Sequence, residues 1–594
     1  MTKSKFLLAT LSLGAAVACV SNAGAQAYTP LLQFYTAGSS AQFNTFGIAA
    51  SNTIGSNSGP LCGAHHWSKK NASALPIYLY DARSSSISNE PANVWVAWDD
   101  NAANGVANAG VVCFYAAVDS IVGVRAYMAH ATLQLSSSLV GTSDAGLVPL
   151  LTNAGETLPL SVYNIINGAV LNAANTDIRP EDAKFASMRA MTNYGTQVTG
   201  RAVTGVGYTG ANGIGTPIKS SQSSTTANPV DFAIDGGDVD PINSSNGVRQ
   251  FFDVSIGAAP VMVIANVSNT ASGHLGDGTF TNVNRFVLAK AIEGKILHTR
   301  DLNYTVGYTA STSTFTTTAP DVPLNIFIRE PLSGTYNTME FSIPNSLEID
   351  GSTFNPGTVN GQETGINTAL TACVPTSSSS CNAQNVESGN PLFHKTSNGG
   401  FRARAVGTGE MISSVNNYAD TIGYAFWGFS SYAGKTHIKY LTVDGVDPLY
   451  SGATANPNGV GVFPSCTSTL CPTIPFTNVI NGSYPIWSKY RLIWDPLTYN
   501  NNIATTIVTY AQHASEPGAS SIIYDMLPAT LMQTFHSHYA QVVRDSGAAY
   551  GPNNGFRAGI PETGGDMGGA VLTIQSELDF INDTGGNQQV QLFQ

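Results

Sequence analysis

One local pattern recurs along this chain and narrows what it can fold into. An apolar run that reads as a strand meets a short hydroxyl-bearing turn, and a helical stretch follows. Ile326-Phe327-Ile328 delivers Arg329, and Ser333-Gly334-Thr335 then opens a helix that runs through Phe341. Leu31 to Tyr35 is followed by Gly38-Ser39-Ser40 and then Ala41-Gln42-Phe43. Val111 to Tyr115 leads to Asp119-Ser120 and a helical stretch through Tyr127. Alternation and β-branched or aromatic content mark these runs, and Asn93 to Trp98, as strands. Strands alternating with helices point to an α/β architecture.

Between these units the composition changes. Residues 200–248 are rich in Gly, Ser, Thr and Asn, have little apolar periodicity, and read as a loop insertion. Apolar structure returns from Phe251 to Val267, and Val287 to Ile292 is helix-like. The cysteine-bearing segments 350–400 and 450–480 read as loops, and no short-period repeat is visible. A chain of 594 residues can bury a large core and divide into more than one lobe.

The first residues, Met1-Thr2-Lys3-Ser4-Lys5, precede an apolar run from Phe6 to Val20 and a small-x-small site at Ala23-Gly24-Ala25. That is the layout of a secretory signal peptide cleaved after Ala25, so the expected location is periplasmic or extracellular. A lipoprotein site at Cys19 is the rival reading, but the usual leucine three residues before the cysteine is lacking. Of seven cysteines, six remain beyond the signal, and an even number in an exported chain favours disulfides. Cys373 with Cys381 and Cys466 with Cys471 lie close enough to staple local loops, which leaves Cys62 with Cys113. No CxxC is present to suggest a zinc knuckle.

Charged residues make up only 11%, against about 25% in ordinary soluble domains. A net charge of −12 and a pI near 5.2 argue against a nucleic-acid partner. They do not exclude anion binding, because a buried site works through local donors rather than the net field. Residues 326–341 suit that task. A guanidinium offers a rigid fork of donors, two hydroxyls add more, and a helix start presents unpaired N–H groups at its positive end.

Taken in order, Gly38-Ser39-Ser40-Ala41, Asp119-Ser120-Ile121-Val122-Gly123, Thr176-Asp177 and Arg329-x-x-x-Ser333-Gly334-Thr335 resemble the phosphate-binding periplasmic proteins of ABC transporters. Glu293-Gly294-Lys295-Ile296, Thr421-Ile422-Gly423-Tyr424 and Tyr484-Pro485-Ile486 are further echoes, so the resemblance spreads from about residue 31 to 493. It implies a two-lobed type II periplasmic-binding-protein-like α/β fold with an interlobe ligand cleft and long loop insertions. One lobe would take residues 27–250 and 441–594, the other 255–440, with two chain crossings as the hinge. Ser40, the Ala41 N–H and Ser120 would bind inorganic phosphate from helix starts, and Asp177 would accept the ligand's proton. Arg329, Ser333, Gly334 and Thr335 would grip from the other lobe, and closure would bring Arg329 and Ser333 toward Ser40 and Asp177. A membrane ABC permease is the implied partner, and no cofactor is implied. Sulfate, with no proton to donate at neutral pH, would face Asp177 unpaired and be rejected.

Two departures stand out. Asp119 sits where the family has glycine, and Ala41 where it often has an aromatic residue. The extra carboxylate would repel a dianion or contact a different ligand. A secreted phosphatase-like hydrolase on the same cleft, with Asp119 or Asp177 as base or nucleophile, is the enzymatic alternative. No metal-ligand cluster supports it. A surface structural or adhesive protein suits the low charge and polar insertions but leaves the ordered anion motifs unexplained.

Other motifs reduce to plainer readings. Gly205-Val206-Gly207-Tyr208-Thr209-Gly210 fits GxGxxG but is not followed by a helix. His65-His66 and His536-Ser537-His538 lack partners at metal-ligand spacing. Asp99-Asp100 and Asp444/Asp447 have no EF-hand around them and read as loop caps. No G-x-S-x-G elbow or H-E-x-x-H helix is present.

Overall fold

In a computed structural model, a long strand, Gln250–Asn266, runs through the middle of a mixed sheet that has 15 strands among the described residues. The structure describes residues 32–51, 60–76, 89–106, 110–128, 131–148, 151, 156–178, 250–292, 296, 298–302, 308–309, 314–315, 322–329, 333–343, 394–395, 400–405, 407–466, 471–494, 502–515, 525–528 and 587–591. The expected signal peptide, the 200–248 insertion, and the cysteines at 373 and 381 lie outside them.

The strands used below are β1 (Leu32–Ser39), β2 (His65–Pro76), β3 (Asn89–Trp98), β4 (Val111–Val118), β5 (Ala173–Thr176) and β6 (Gln250–Asn266). After them come β7 (Asn325–Arg329), β8 (Phe401–Ala405), β9 (Thr421–Phe426), β10 (Ile438–Val443) and β11 (Trp487–Trp494). The main helices are α1 (Phe43–Ser51), α2 (Ser120–Met128), α3 (Arg285–Ile292), α4 (Gly334–Ser342), α5 (Thr408–Asn417) and α6 (Asn502–Ser515).

Their order across the sheet is β8-β7-β9-β6-β11-β5-β1-β4-β3-β2, with the short strand His394–Lys395 outside β8 and β10 pairing with β6 off this path. β6 serves both halves. Its first part pairs antiparallel with β11, from Phe252 to Pro260, and its last part pairs with β9, from Val261 to Ala265. Pro260 marks the handover. Lacking an N–H, proline fits where one ladder ends and another begins. The neighbouring groups are still paired: Val261 N–H donates to Ile486 O at 2.8 Å, and Trp427 N–H to Pro260 O at 3.0 Å.

In one half, β4 and β5 both pair parallel with β1, so all three end on the same side. In the other, β8 and β9 pair parallel with β7. Such strands are covered on both faces and need continuous apolar sequence. β4, Val-Val-Cys-Phe-Tyr-Ala-Ala-Val, meets that need and is buried from its second residue onward. The β2–β3 hairpin adds an antiparallel edge. α6 packs on α1, burying Ile503, Ala504, Ile507, Val508 and Ala511 at helical spacing. Trp95 holds α1 to the sheet by donating Nε1–H to Phe43 O at 2.9 Å.

Two disulfides form as the cysteine spacing implies. Cys62–Cys113 ties the loop after α1 to β4, and Cys466–Cys471 closes a short loop. Among the described residues, no helix is long and apolar enough to cross a membrane.

Candidate functional site

Parallel strands with crossover helices leave a crevice beyond their carboxyl ends, where backbone donors and loop side chains converge. Here the ends of β1, β4 and β5 carry Ser39, Asp119-Ser120 and Asp177. The ends of β7 and β8 lead to Arg329 and to the start of α5 at Thr408. These residues meet at one buried point, although up to 369 positions separate Ser39 from Thr408 in the chain.

A polar scaffold fixes the first wall. Thr36 Oγ1 donates to Asn175 Oδ1 at 2.6 Å, Asn175 Nδ2 to Gln42 Oε1 at 2.9 Å, and Gln42 Nε2 to Thr176 O at 2.8 Å. Tyr115 donates its hydroxyl proton to Ser39 O at 2.5 Å. Gly123 permits the close approach of α2. A Cβ there would stand 2.4 Å from both Ala37 O and Gly38 Cα, so a larger residue would push the helix off the end of β1.

The resemblance gives Ser40 a ligand role at the first helix start, and the structure places the cap of that start at Ser39. The Ala41 N–H donates to Ser39 Oγ at 3.3 Å, and a three-residue 3-10 turn, Ser40–Gln42, precedes α1. Ser39 Oγ lies 3.4 Å from Asp177 Oδ2, as its long-range donor. Ser40 faces the second wall, its hydroxyl 3.0 Å from Thr408 Oγ1. Ser120 opens α2 as expected and donates its hydroxyl proton to Asp177 Oδ1.

Asp177 is 2% exposed. Burial pushes its carboxyl up to about 6, against the pull of the Ser120 hydrogen bond and the Arg329 charge, with Asp119 adding to the rise. A carboxyl poised there exchanges a proton near neutrality.

On the second wall, Arg329 ends β7 at 1% exposure. Its backbone N–H donates to the Tyr424 hydroxyl at 3.2 Å. Nη2 donates to Asp119 Oδ1 at 2.8 Å, while Nη1 reaches Thr335 Oγ1 at 3.4 Å and Thr408 Oγ1 at 3.3 Å. Of these three contacts, only that with Asp119 has the length of a strong charge-assisted bond. Ser333 caps α4 by accepting from the Tyr336 N–H at 3.5 Å. The helix start lies directly against the opposing carboxylate, for a Cβ on Gly334 would sit 1.5 Å from Asp177 Oδ1. Only glycine allows that approach.

Every residue picked out from sequence for this site thus lies in one neighbourhood. Sequence reasoning missed Ser39 as the cap, Thr408 and Tyr424. Thr408 had a signal, since it stands three, four and seven residues before the buried Met411, Ile412 and Val415. Nothing local marked Tyr424 as the partner of Arg329.

Elsewhere, Gly205 to Gly210 and His536 to His538 lie outside the described residues. Asp99 caps a short helix by accepting from the Ala102 N–H at 2.9 Å, and Asp447 accepts from the Leu449 and Tyr450 N–H groups. Asp444 pairs with Arg285 at 2.7 Å. His65 bridges Asp100 and Glu156 and stacks on Trp98. Among the described residues, no group of three or more His, Cys, Asp or Glu is placed to hold a metal.

A scan of protein families finds no match, and a search of curated proteins finds none either. Solved structures do match in part. A putative phosphate ABC transporter substrate-binding protein with bound phosphate from Clostridium perfringens aligns at 14% identity over 44% of this chain and 65% of that one, with a TM-score of 0.24. This chain therefore spans less than two thirds of that protein's length. A phosphate binding protein from Stenotrophomonas maltophilia aligns at 10% identity over 70% and 83%, with a TM-score of 0.28. An ABC-type phosphate transport receptor from Vibrio cholerae aligns at 11% identity over 45% and 68%, with a TM-score of 0.22. At these scores the likeness says nothing about the site or its ligand.

Proposed function

We propose that this chain is an exported solute-binding protein that captures inorganic phosphate, or an oxyanion of the same shape, for an ABC-type uptake system. The ordered motifs support the reading, and one observation carries it. Five chain junctions supply an arginine, several hydroxyls, a helix start and a proton-accepting carboxylate to a single buried point. Arg329 offsets ligand charge, Ser40, Ser333, Thr335 and Thr408 donate hydroxyl protons while Ser39 and Ser120 hold Asp177, and the first N–H groups of α4 point to the anion. Asp177 accepts the ligand's proton, which selects a protonated oxyanion over sulfate.

The two walls form two lobes, residues 27–250 with 441–594 and residues 255–440, joined through β6 and the crossing near residue 440. Asp177 and Gly334 are in contact, so an anion enters when the walls part and is gripped when they return, a hinge motion of the kind common to cleft-binding proteins. A membrane permease would then receive the ligand. The role is binding rather than turnover.

The test is calorimetry on the mature protein with phosphate, arsenate, molybdate and sulfate. Phosphate should bind and sulfate should not. Absence of phosphate binding, together with an Arg329→Ala variant that behaves like the wild type, would sink the reading. Release of phosphate from a generic phosphomonoester, lost in Asp119→Asn, would replace it with a hydrolase.

A further inference from the structure

We propose that Asp119 makes anion capture proton-coupled, so that this site takes the oxyanion in its singly charged state and loses it as the second charge develops. The inference rests on the phosphate-binding reading and deepens it.

Asp119 ends the β4 segment and is 3% exposed. Its Oδ1 accepts a short bond from the Arg329 guanidinium, at 2.8 Å, while Thr335 and Thr408 stand off at 3.3–3.4 Å. The cation meant to face the ligand is thus already engaged by a carboxylate of the protein. Asp177, 2% exposed, is a second carboxylate at the same point, lying against Gly334. One guanidinium therefore faces two carboxylates before any ligand is added.

A dianion would bring two more negative charges into a region from which water is excluded, where like charges repel strongly. Taking up one proton with the ligand removes one of those charges. Dihydrogen phosphate brings that proton itself. Monohydrogen phosphate with one protonated aspartate is the same total state, since coupled groups share their protons as a set.

The other groups around Asp119 and Asp177 are hydroxyls, two phenols and one further carboxylate. The neighbouring hydroxyls are Ser39 of β1, Ser120 of α2, Ser333 and Thr335 at the start of α4, Thr408 of α5 and Tyr424 of β9. The phenols of Tyr115 on β4 and Tyr490 on β11 are raised well above their usual range by burial and by the Asp177 charge. Glu410 stands in the first turn of α5. Asp177, which burial pushes up to about 6, and the ligand are the groups that exchange protons near neutrality, while Asp119 adds fixed negative charge beside them.

The experiment is phosphate calorimetry from about pH 6 to about pH 8.5, repeated in buffers of different ionisation enthalpy, on wild type and Asp119→Asn. Thermal melts confirm that the variant is folded. In the wild type, uptake of one proton should accompany binding above phosphate's second ionisation, and affinity should fall about tenfold per pH unit there. Asp119→Asn should bind at least tenfold more tightly at the alkaline end, with a flatter profile. A wild-type affinity that is level across this range with no proton uptake, or an Asp119→Asn profile as steep as the wild type's, overturns the inference and leaves phosphate capture standing. No binding at pH 6 by either protein overturns both. If Asp119→Asn does not fold, the wild-type proton count decides alone.

Discussion

Arg329 and Asp119 are close to fully buried, and each compensates the other's charge. Taking such a pair out of water is costly, and removing one member leaves the other exposed to that cost, about 3–5 kcal/mol. Arg329→Ala should therefore act twice. Phosphate binding should weaken tenfold or more, read by calorimetry, and denaturant unfolding should show a loss of that order. Asp177 gives a pH signature of its own. Its folded-state value of about 6 lies above the ordinary 3.8, so the folded protein holds this proton more tightly than the unfolded chain. The favourable contribution is complete below pH 4 and is lost as pH rises through 6, about 3 kcal/mol across the window. Asp177→Asn should remove that slope from the unfolding free energy measured against pH. If the slope persists in the variant, the carboxyl is not held as described.

At the level of elements, helix starts do most of the positioning. The openings at Ser120 and Ser333 were legible in sequence because a hydroxyl followed a strand-like run and preceded a helical one. At the first start, Ser39 and Ser40 are chemically equal candidates for the cap. What separates them is the direction of the chain at the end of β1, where Ser39 turns toward Asp177 and Ser40 toward Thr408. Gly334 is the sharper case. In an isolated helix alanine would be the better residue, yet here its methyl would collide with Asp177. Gly334→Ala should keep the fold but hold the walls apart, with phosphate affinity down at least tenfold and the melting temperature little changed. Ser333→Ala should cost about 1 kcal/mol through the lost cap, seen in denaturant unfolding.

For the whole molecule, buried carboxylates set opposing pH limits. Asp525, which accepts the Phe429 N–H at 2.7 Å, is pushed up to about 7 by burial, so with Asp177 it favours the folded state at lower pH. Burial also acts to raise Asp144, but hydrogen bonds from His66, Ser68 and the Gly146 N–H outweigh it and bring the group to about 2. Its contribution is present above pH 4 and is lost as pH falls through 2. Stability should therefore peak near pH 4, decline up to about pH 7 and level off above it, as melts across that range would show. The Cys62–Cys113 bridge spans 51 positions, so replacing both cysteines by alanine should cost about 2–5 kcal/mol in denaturant unfolding. No change would mean that the loop after α1 is held by packing alone.

The sequence by itself determined the α/β character, the strand runs, two of the helix starts and the local disulfide, because those depend on neighbours a few residues apart. Period, β-branching and a hydroxyl before a helix are local properties. Only the tertiary structure decided that Pro260 is the handover point of the shared strand, that Asp119 pairs with Arg329, and that Asp177 fills the approach to Gly334. Each joins residues that no spacing relates: 119 with 329, 177 with 334, 40 with 408. The pairing of parallel strand ends across β6 brings them together. The residue types announced donors gathered at helix starts, and the fold decided which carboxylates stand among them.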